Sequence, residues 1–213
     1  MIAKTEAFLK DTFAASTYLQ AHPAERDYRL EHSYRVANIA KMIAQEEGFD
    51  ETKAVIAGLL HDIAYCQEMA DREAWKNHGR RSAAIARPFL TETLGLDDDA
   101  VNEICYGIAI HVDDQADFSW ERTPFCETVG DADNIDRFDV YRIYETLEYI
   151  KFREMSLEEK REKVESTLKQ LRNYQDMQLG TAAAKALWLQ RLAYYIGFYE
   201  KLEAQLKNSA AIL

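Results

Sequence analysis

Apolar positions along this chain recur every three or four residues and almost never alternate, so helices are predicted from end to end. Residues 4–20 read as an amphipathic helix, and His22-Pro23 marks a loop, because proline biases the residue before it away from helix. A helix over about 28–47 carries Leu30, Ala37, Ile39, Ala40 and Ile43 on one side, and Gly48 suits its end. Asp50 caps the next, which runs through Val55, Ile56, Leu59, Leu60 and Ile63. A helix follows from Gly79 to about Leu94, with Pro88 expected to bend or break it. Gly95 turns the chain into the acidic run Asp97-Asp98-Asp99, which caps a helix bearing Val101, Ile104 and Ile108. Residues 124–150 read as one more helix.

The remainder reads as a helical hairpin. Ser156-Leu157-Glu158-Glu159 has the pattern of a capping box, Leu157, Val164, Leu168 and Leu171 form one stripe, and Gly180 sits in the turn. Trp188, Leu192, Tyr195, Tyr199, Leu202 and Leu206 form the second stripe. It packs on the domain or the first tail helix, or else forms a homodimer seam of the coiled-coil kind. The expectation is an all-α protein: one helical-bundle domain over 1–150, with the hairpin 151–213 packed on it.

Composition supports this. Only 8 Gly and 3 Pro occur in 213 residues, few for a chain of many tight turns. The net charge of −11 opposes the phosphate backbones of nucleic acids, so no nucleic-acid partner is expected, whereas a small phosphorylated substrate can still bind where cations reverse the local sign. Three cysteines without zinc-type spacing read as reduced thiols. No leader pattern and no membrane-length apolar run is present, so a cytoplasmic protein without membrane association is expected.

The candidate chemistry lies where polar residues interrupt the apolar stripes. His32 shares a stripe with Val36, Ile39 and Ile43 and points inward, read here as lying in the first turn of its helix. His61-Asp62 ends the apolar run Ala54–Leu60, where such groups are costly unless paired or metal-bound. Neighbours on a helix diverge by about 100°, so both can face one cation only at a helix end or corner. His111 extends the stripe of Val101, Ile104 and Ile108, and Asp133 and Asp136 are neighbours on one face. His22 has no place in the pattern, and Asp113-Asp114 read as a solvated helix end.

Taken in order, Glu31–Ala37, Ala57–Ile63, His78–Ala83, Ile108–His111 and Asp131–Asp136 resemble the HD superfamily of metal-dependent phosphohydrolases over about residues 25–145. The resemblance implies metal ligands at His32, His61, Asp62 and Asp133. His78 and His111 match the extra histidines that hold a second ion in two-metal members, where Asp62 would bridge, and that contact phosphate in one-metal members. The implied cofactor is one or two divalent transition ions, Mn, Fe, Co or Ni. Some members carry a lysine shortly after the His-Asp pair, and Ile63-Ala64-Tyr65-Cys66 offers none.

The implied reaction is attack of metal-activated water on phosphorus in a small phosphorylated substrate, most simply a nucleotide. Arg35, one turn from His32, and Arg81 are expected as phosphate contacts, with Arg80 and Arg137 nearby in sequence. Asp136 is expected to orient the water or act as base, or else to hydrogen-bond a ligand. Catalysis would then rest on Asp62, Asp136 and Arg35, and substrate binding on Arg35, Arg81, His78 and His111. Two rivals share the ligand order: an HD-type di-iron oxygenase, and a non-catalytic nucleotide-binding protein.

Overall fold

The computed structural model describes residues 1–210, so the last three residues of the expected hairpin lie outside it. Eleven α-helices and no strand occur among the described residues, so the all-α expectation holds. The chain divides into two compact units, one of Met1–Asp136 with Gly180–Ala184, the other of Arg137–Leu179 with the chain from Lys185 on.

The first unit contains α1 (Ile2–Ala15), α2 (Thr17–Ala21), α3 (Pro23–Glu47), α4 (Glu51–Leu60), α5 (Arg72–Lys76), α6 (His78–Pro88), α7 (Asp98–Ile110) and α8 (Pro124–Asp136). Its centre is α4. Every residue from Ala54 to Leu60 is buried, the mark of a helix apolar all round and enclosed by others. α1, α3, α7 and α8 pack around it, and α6 packs on α7. The closest approach is at Gly58, where an added Cβ would stand 2.6 Å from Ala37 Cα, so α3 and α4 meet backbone to backbone. Ile43, Ile56, Leu59, Leu60, Leu90 and Ile104 fill the core, each contributing about 1.5–3 kcal/mol by leaving water.

The helix ends follow local chemistry. Gly48 closes α3 in the left-handed conformation at φ 73°. Asp50 and Asp97 cap α4 and α7 by accepting Lys53 N–H and Ala100 N–H. Three boundaries differ from the sequence expectation. The helix expected over 4–20 is two, because the Ser16 side chain caps α2 and also donates to the Cys66 carbonyl. α3 begins at Pro23, where proline occupies the first turn and its missing N–H costs nothing, so His32 stands well inside the helix and not in its first turn. The break expected at Pro88 is present: α6 ends there, and a single π turn follows over Phe89–Thr93. The helix expected over 124–150 breaks after Asp136 and resumes at Val140, capped by Asp139.

The second unit contains α9 (Val140–Tyr149), α10 (Leu157–Asn173) and α11 (Ala182–Lys207), whose first turn groups with the first unit. The expected capping box is present at Ser156 and Glu159. Of the apolar stripes, Val164, Leu168, Leu171, Trp188, Leu192, Tyr195, Tyr199 and Leu206 are buried. Phe138 is central to them, with ring centroids 4.6 Å from Trp188, 5.1 Å from Tyr174 and 5.8 Å from Tyr195. Arg161 donates to the Leu206 carbonyl at 2.8 Å, tying α10 to the end of α11. No described helix is long and apolar enough to cross a membrane.

Candidate metal centre

Four histidines and two aspartates converge inside the first unit, each delivered by a helix or a helix end. α4 stops at Leu60, with His61 as its C-cap. Asp62 then leaves the helix at φ −108° and ψ 14°, which is how two adjacent residues come to face one centre. His111 is the C-cap of α7, and His78 opens α6. His32 comes from α3, and Asp133 from α8, with Asp136 one turn further along.

The donors form two groups that share Asp62. His32, His61 and Asp62 have ligand atoms close enough for one ion, and so have Asp62, His78 and His111. His32 Nε2 lies 3.2 Å from His61 Nε2 and 3.6 Å from Asp62 Oδ2, and His61 Nε2 lies 3.7 Å from that same oxygen. Asp133 Oδ1 is 3.2 Å from His32 Nε2. On the other side, Asp62 Oδ1 is 3.1 Å from His78 Nε2 and 3.7 Å from His111 Nε2, and those two nitrogens are 3.2 Å apart. All six residues are deeply buried apart from the backbone around His111, whose side chain is 1% exposed.

The residues fit a divalent cation. His61 Nδ1 donates to the Gly58 carbonyl at 2.8 Å, His111 Nδ1 to the Ile108 carbonyl at 2.6 Å, and His78 Nδ1 to the Trp75 carbonyl. A neutral imidazole that donates from Nδ1 carries a lone pair at Nε2. The Nε2 lone pairs of His78 and His111 therefore face each other and the Asp62 carboxylate. Three acceptors at these distances call for positive charge between them, supplied by a second proton or by a metal ion.

The electrostatics point the same way. Burial lowers the pKa of His61 to about 4, so its imidazole is neutral and ready to ligate. At His32 burial also opposes charge, but hydrogen bonds to Asp133 and Asp136 outweigh it and raise the imidazole to about 9. Without metal, His32 thus holds a proton where a cation would stand. Asp62 is held well below the usual carboxylate range: burial opposes its charge, but His61, His111, His78 and His32 override it.

The comparisons with known proteins agree with this arrangement. The HD domain model matches residues 29–141, more than half of the chain and all six of these residues. The chain belongs to the HD domain family. Among solved structures, that of a predicted HD superfamily hydrolase from an uncultured Thermotogales bacterium has a TM-score of 0.64 at 21% identity, covering 95% of this chain and 91% of the other. Two curated proteins, the ribonucleases Y of two strains of Thermus thermophilus, are each 43% identical over 60 residues. That is 28% of this chain and 10% of each ribonuclease, so the match spans about a tenth of their length.

Within this HD domain the residues expected as ligands, including His78 and His111, lie together. Arg35 and Arg81, expected as phosphate contacts, bond other side chains. Arg35 Nε donates to Asp136 Oδ1 at 2.8 Å, and the other Asp136 oxygen accepts from His32 Nδ1 at 2.8 Å. Both Asp136 oxygens are thus engaged, one with His32 and one with Arg35. Arg81 bonds Gln67 and approaches the Met69 sulfur at 3.7 Å. Arg80 pairs with Asp113 at 3.1 Å, so Asp113 is tied and not merely solvated. Asp131 accepts from Gly180 N–H at 2.9 Å, away from the ligands.

Sequence reasoning missed Arg29. Its Nη1 donates to Asp62 Oδ2 at 3.1 Å, and its guanidinium carbon lies 3.3 Å from the Tyr65 ring centre. Its buried Nε has no hydrogen-bond partner. The available signal was spacing: Arg29 precedes His32 by three residues as Arg35 follows it by three, so both share its helix face. Trp75 was also missed. It is 45% exposed, and its ring lies 6.0 Å from that of His78.

Proposed function

We propose that this HD domain protein is a metal-dependent phosphohydrolase acting on a small phosphorylated substrate, a nucleotide. The observation that carries the reading is the shared carboxylate: Asp62 turns one oxygen to each of two histidine pairs, with a cationic arginine beside it. A divalent transition ion held there, Mn, Fe, Co or Ni, would acidify a bound water and polarise a phosphoryl oxygen. His32, His61, Asp62 and Asp133 would hold the first ion, with His78 and His111 joining Asp62 for a second. Arg29 supplies positive charge where the phosphoryl oxygens would lie, its position fixed by the Tyr65 face and Asp62. Trp75 offers an exposed aromatic face at the His78 side for a nucleobase to stack on.

The curated ribonucleases raise RNA as a substrate. The net charge of −11 weighs against a long phosphate backbone and in favour of a single small phosphate ester. The five donors in two groups that share Asp62 also favour one rival, a di-iron oxygenase of the HD type. The deciding experiment measures phosphate or pyrophosphate release by Mn²⁺-loaded protein over a panel of nucleotides and sugar phosphates, with Asp62→Ala as the blank. Release absent from the blank is expected. Equal traces from both proteins would remove the hydrolase reading, and oxygen uptake by the Fe²⁺-loaded protein would install the oxygenase in its place.

A further inference from the structure

The four histidines are oriented in two different ways. His61, His78 and His111 each donate from Nδ1 to the main-chain carbonyl three residues earlier, a carbonyl available because each stands at a helix end. His32 stands inside the 25-residue helix α3, where carbonyls are consumed by the helix ladder. Its Nδ1 reaches to another helix instead, to Asp136 Oδ2 at 2.8 Å at the end of α8. The second Asp136 oxygen is held by Arg35 Nε at 2.8 Å, and Arg35 lies one turn beyond His32 on α3 itself. Asp136 is 6% exposed, so its charge depends on these two partners.

Resting on the reading that these groups hold metal, we propose that Arg35 is a positioning residue of the first ion's site, acting through Asp136 on His32, and not a contact for substrate phosphate. The three side chains close a loop between α3 and α8. Arg35 fixes the carboxylate, the carboxylate fixes the ring plane and tautomer of His32, and His32 presents Nε2 to the centre. A carboxylate partner also makes an imidazole a stronger donor than a carbonyl does. His32 is thus the one histidine of the four whose ligand strength depends on a neighbouring charged pair, and Arg35 secures that pair. The ion's affinity is therefore set in part from a residue that never touches it.

The test measures binding of Co²⁺ alone to the full chain, by competition with a chromogenic chelator, together with the Co²⁺ visible absorption spectrum. Asp136→Asn should weaken binding about 10- to 100-fold, the usual effect of removing such a partner. Arg35→Gln should weaken it in the same direction and shift the spectrum, Arg35→Lys should recover part of the loss, and Arg35→Gln in the Asp136→Asn background should add little. Wild-type affinity and spectrum in Arg35→Gln, with a raised KM for phosphorylated substrates, would overturn the proposal and return Arg35 to the phosphate. No Co²⁺ binding by the wild-type chain would overturn the metal reading and this proposal together. Because no substrate is needed, Co²⁺ binding that follows the expected order without phosphate release would sink only the hydrolase reading.

Discussion

Arg29 donates from Nη1 to Asp62 Oδ2 across 3.1 Å, the same oxygen that faces His32 and His61. Under the proposed phosphohydrolase reading, a guanidinium on this carboxylate is placed to turn toward an incoming phosphoryl group. Charge-assisted hydrogen bonds are worth roughly 1.5–3 kcal/mol, so Arg29→Ala should lower kcat/KM by about 10- to 150-fold. Arg29→Lys should restore little, since a point charge cannot reproduce a planar group stacked on Tyr65. Steady-state kinetics on the best substrate checks this, and a variant with wild-type constants would take Arg29 out of the site.

The sharing of Asp62 predicts how metal content responds to single substitutions. Asp62→Ala removes a donor from both groups and should leave the protein without tightly held metal. His111→Ala removes a donor only from the group of Asp62, His78 and His111. It should leave the ion at His32, His61, Asp62 and Asp133 in place. Elemental analysis of dialysed wild-type and variant proteins distinguishes these. Equal retention in all three proteins would mean that the metal sits elsewhere.

Proton linkage follows from His32. Its imidazole is raised to about 9 because, against the penalty of burial, Asp133 and Asp136 favour its charged form. A raised histidine stabilises the metal-free fold fully below its unfolded value of about 6.5, and that contribution is lost as pH rises through about 9. Metal must displace this proton, so binding should release a proton and strengthen by up to about tenfold per pH unit below 9. The thermal shift produced by Mn²⁺ should accordingly grow from pH 6.5 to pH 9. His61 works the other way: its imidazole, lowered to about 4 by burial, makes the metal-free fold lose stability as pH falls from about 6.5 toward 4. Calorimetry with and without metal across this range tests both signs. A metal-induced shift independent of pH would contradict the His32 assignment.

The fold and the cluster of donors were legible because both are written locally. Helical spacing places Val55, Ile56, Leu59 and Leu60 in the core, and the ordered donors stand where those stripes end. What spacing could not reveal was direction. Arg29 and Arg35 flank His32 symmetrically in sequence, yet one reaches Asp62 and the other Asp136, a choice made by where α8 ends in space. The break after Asp136 was equally hidden, because Ile135 and Phe138 continue an apolar pattern across residues that are not helical. Ser16 likewise sits in a helical stretch, where its side chain caps α2 and bonds the distant Cys66 carbonyl.

Two glycines inside helices separate packing from propensity. Gly197 in α11 has nothing within 4 Å of an added Cβ, so Gly197→Ala should stabilise the protein by about 0.5–1 kcal/mol through helix propensity. Gly58 in α4 has the same propensity to gain, but its added Cβ would lie 2.6 Å from Ala37 Cα and 2.9 Å from Ala37 N. Those are backbone atoms of α3, which cannot yield without moving the helix that carries His32. Overpacking of this kind costs about 1–3 kcal/mol, enough to reverse the gain. The Gly58 carbonyl also receives His61 Nδ1 at 2.8 Å, so displacing α4 from α3 separates His61 from His32. Gly58→Ala should therefore lower both the melting temperature and the affinity for Co²⁺, while Gly197→Ala raises the first and leaves the second unchanged. A Gly58→Ala protein as stable as its Gly197→Ala counterpart would show that the α3–α4 contact is looser than the close approach at Ala37 requires.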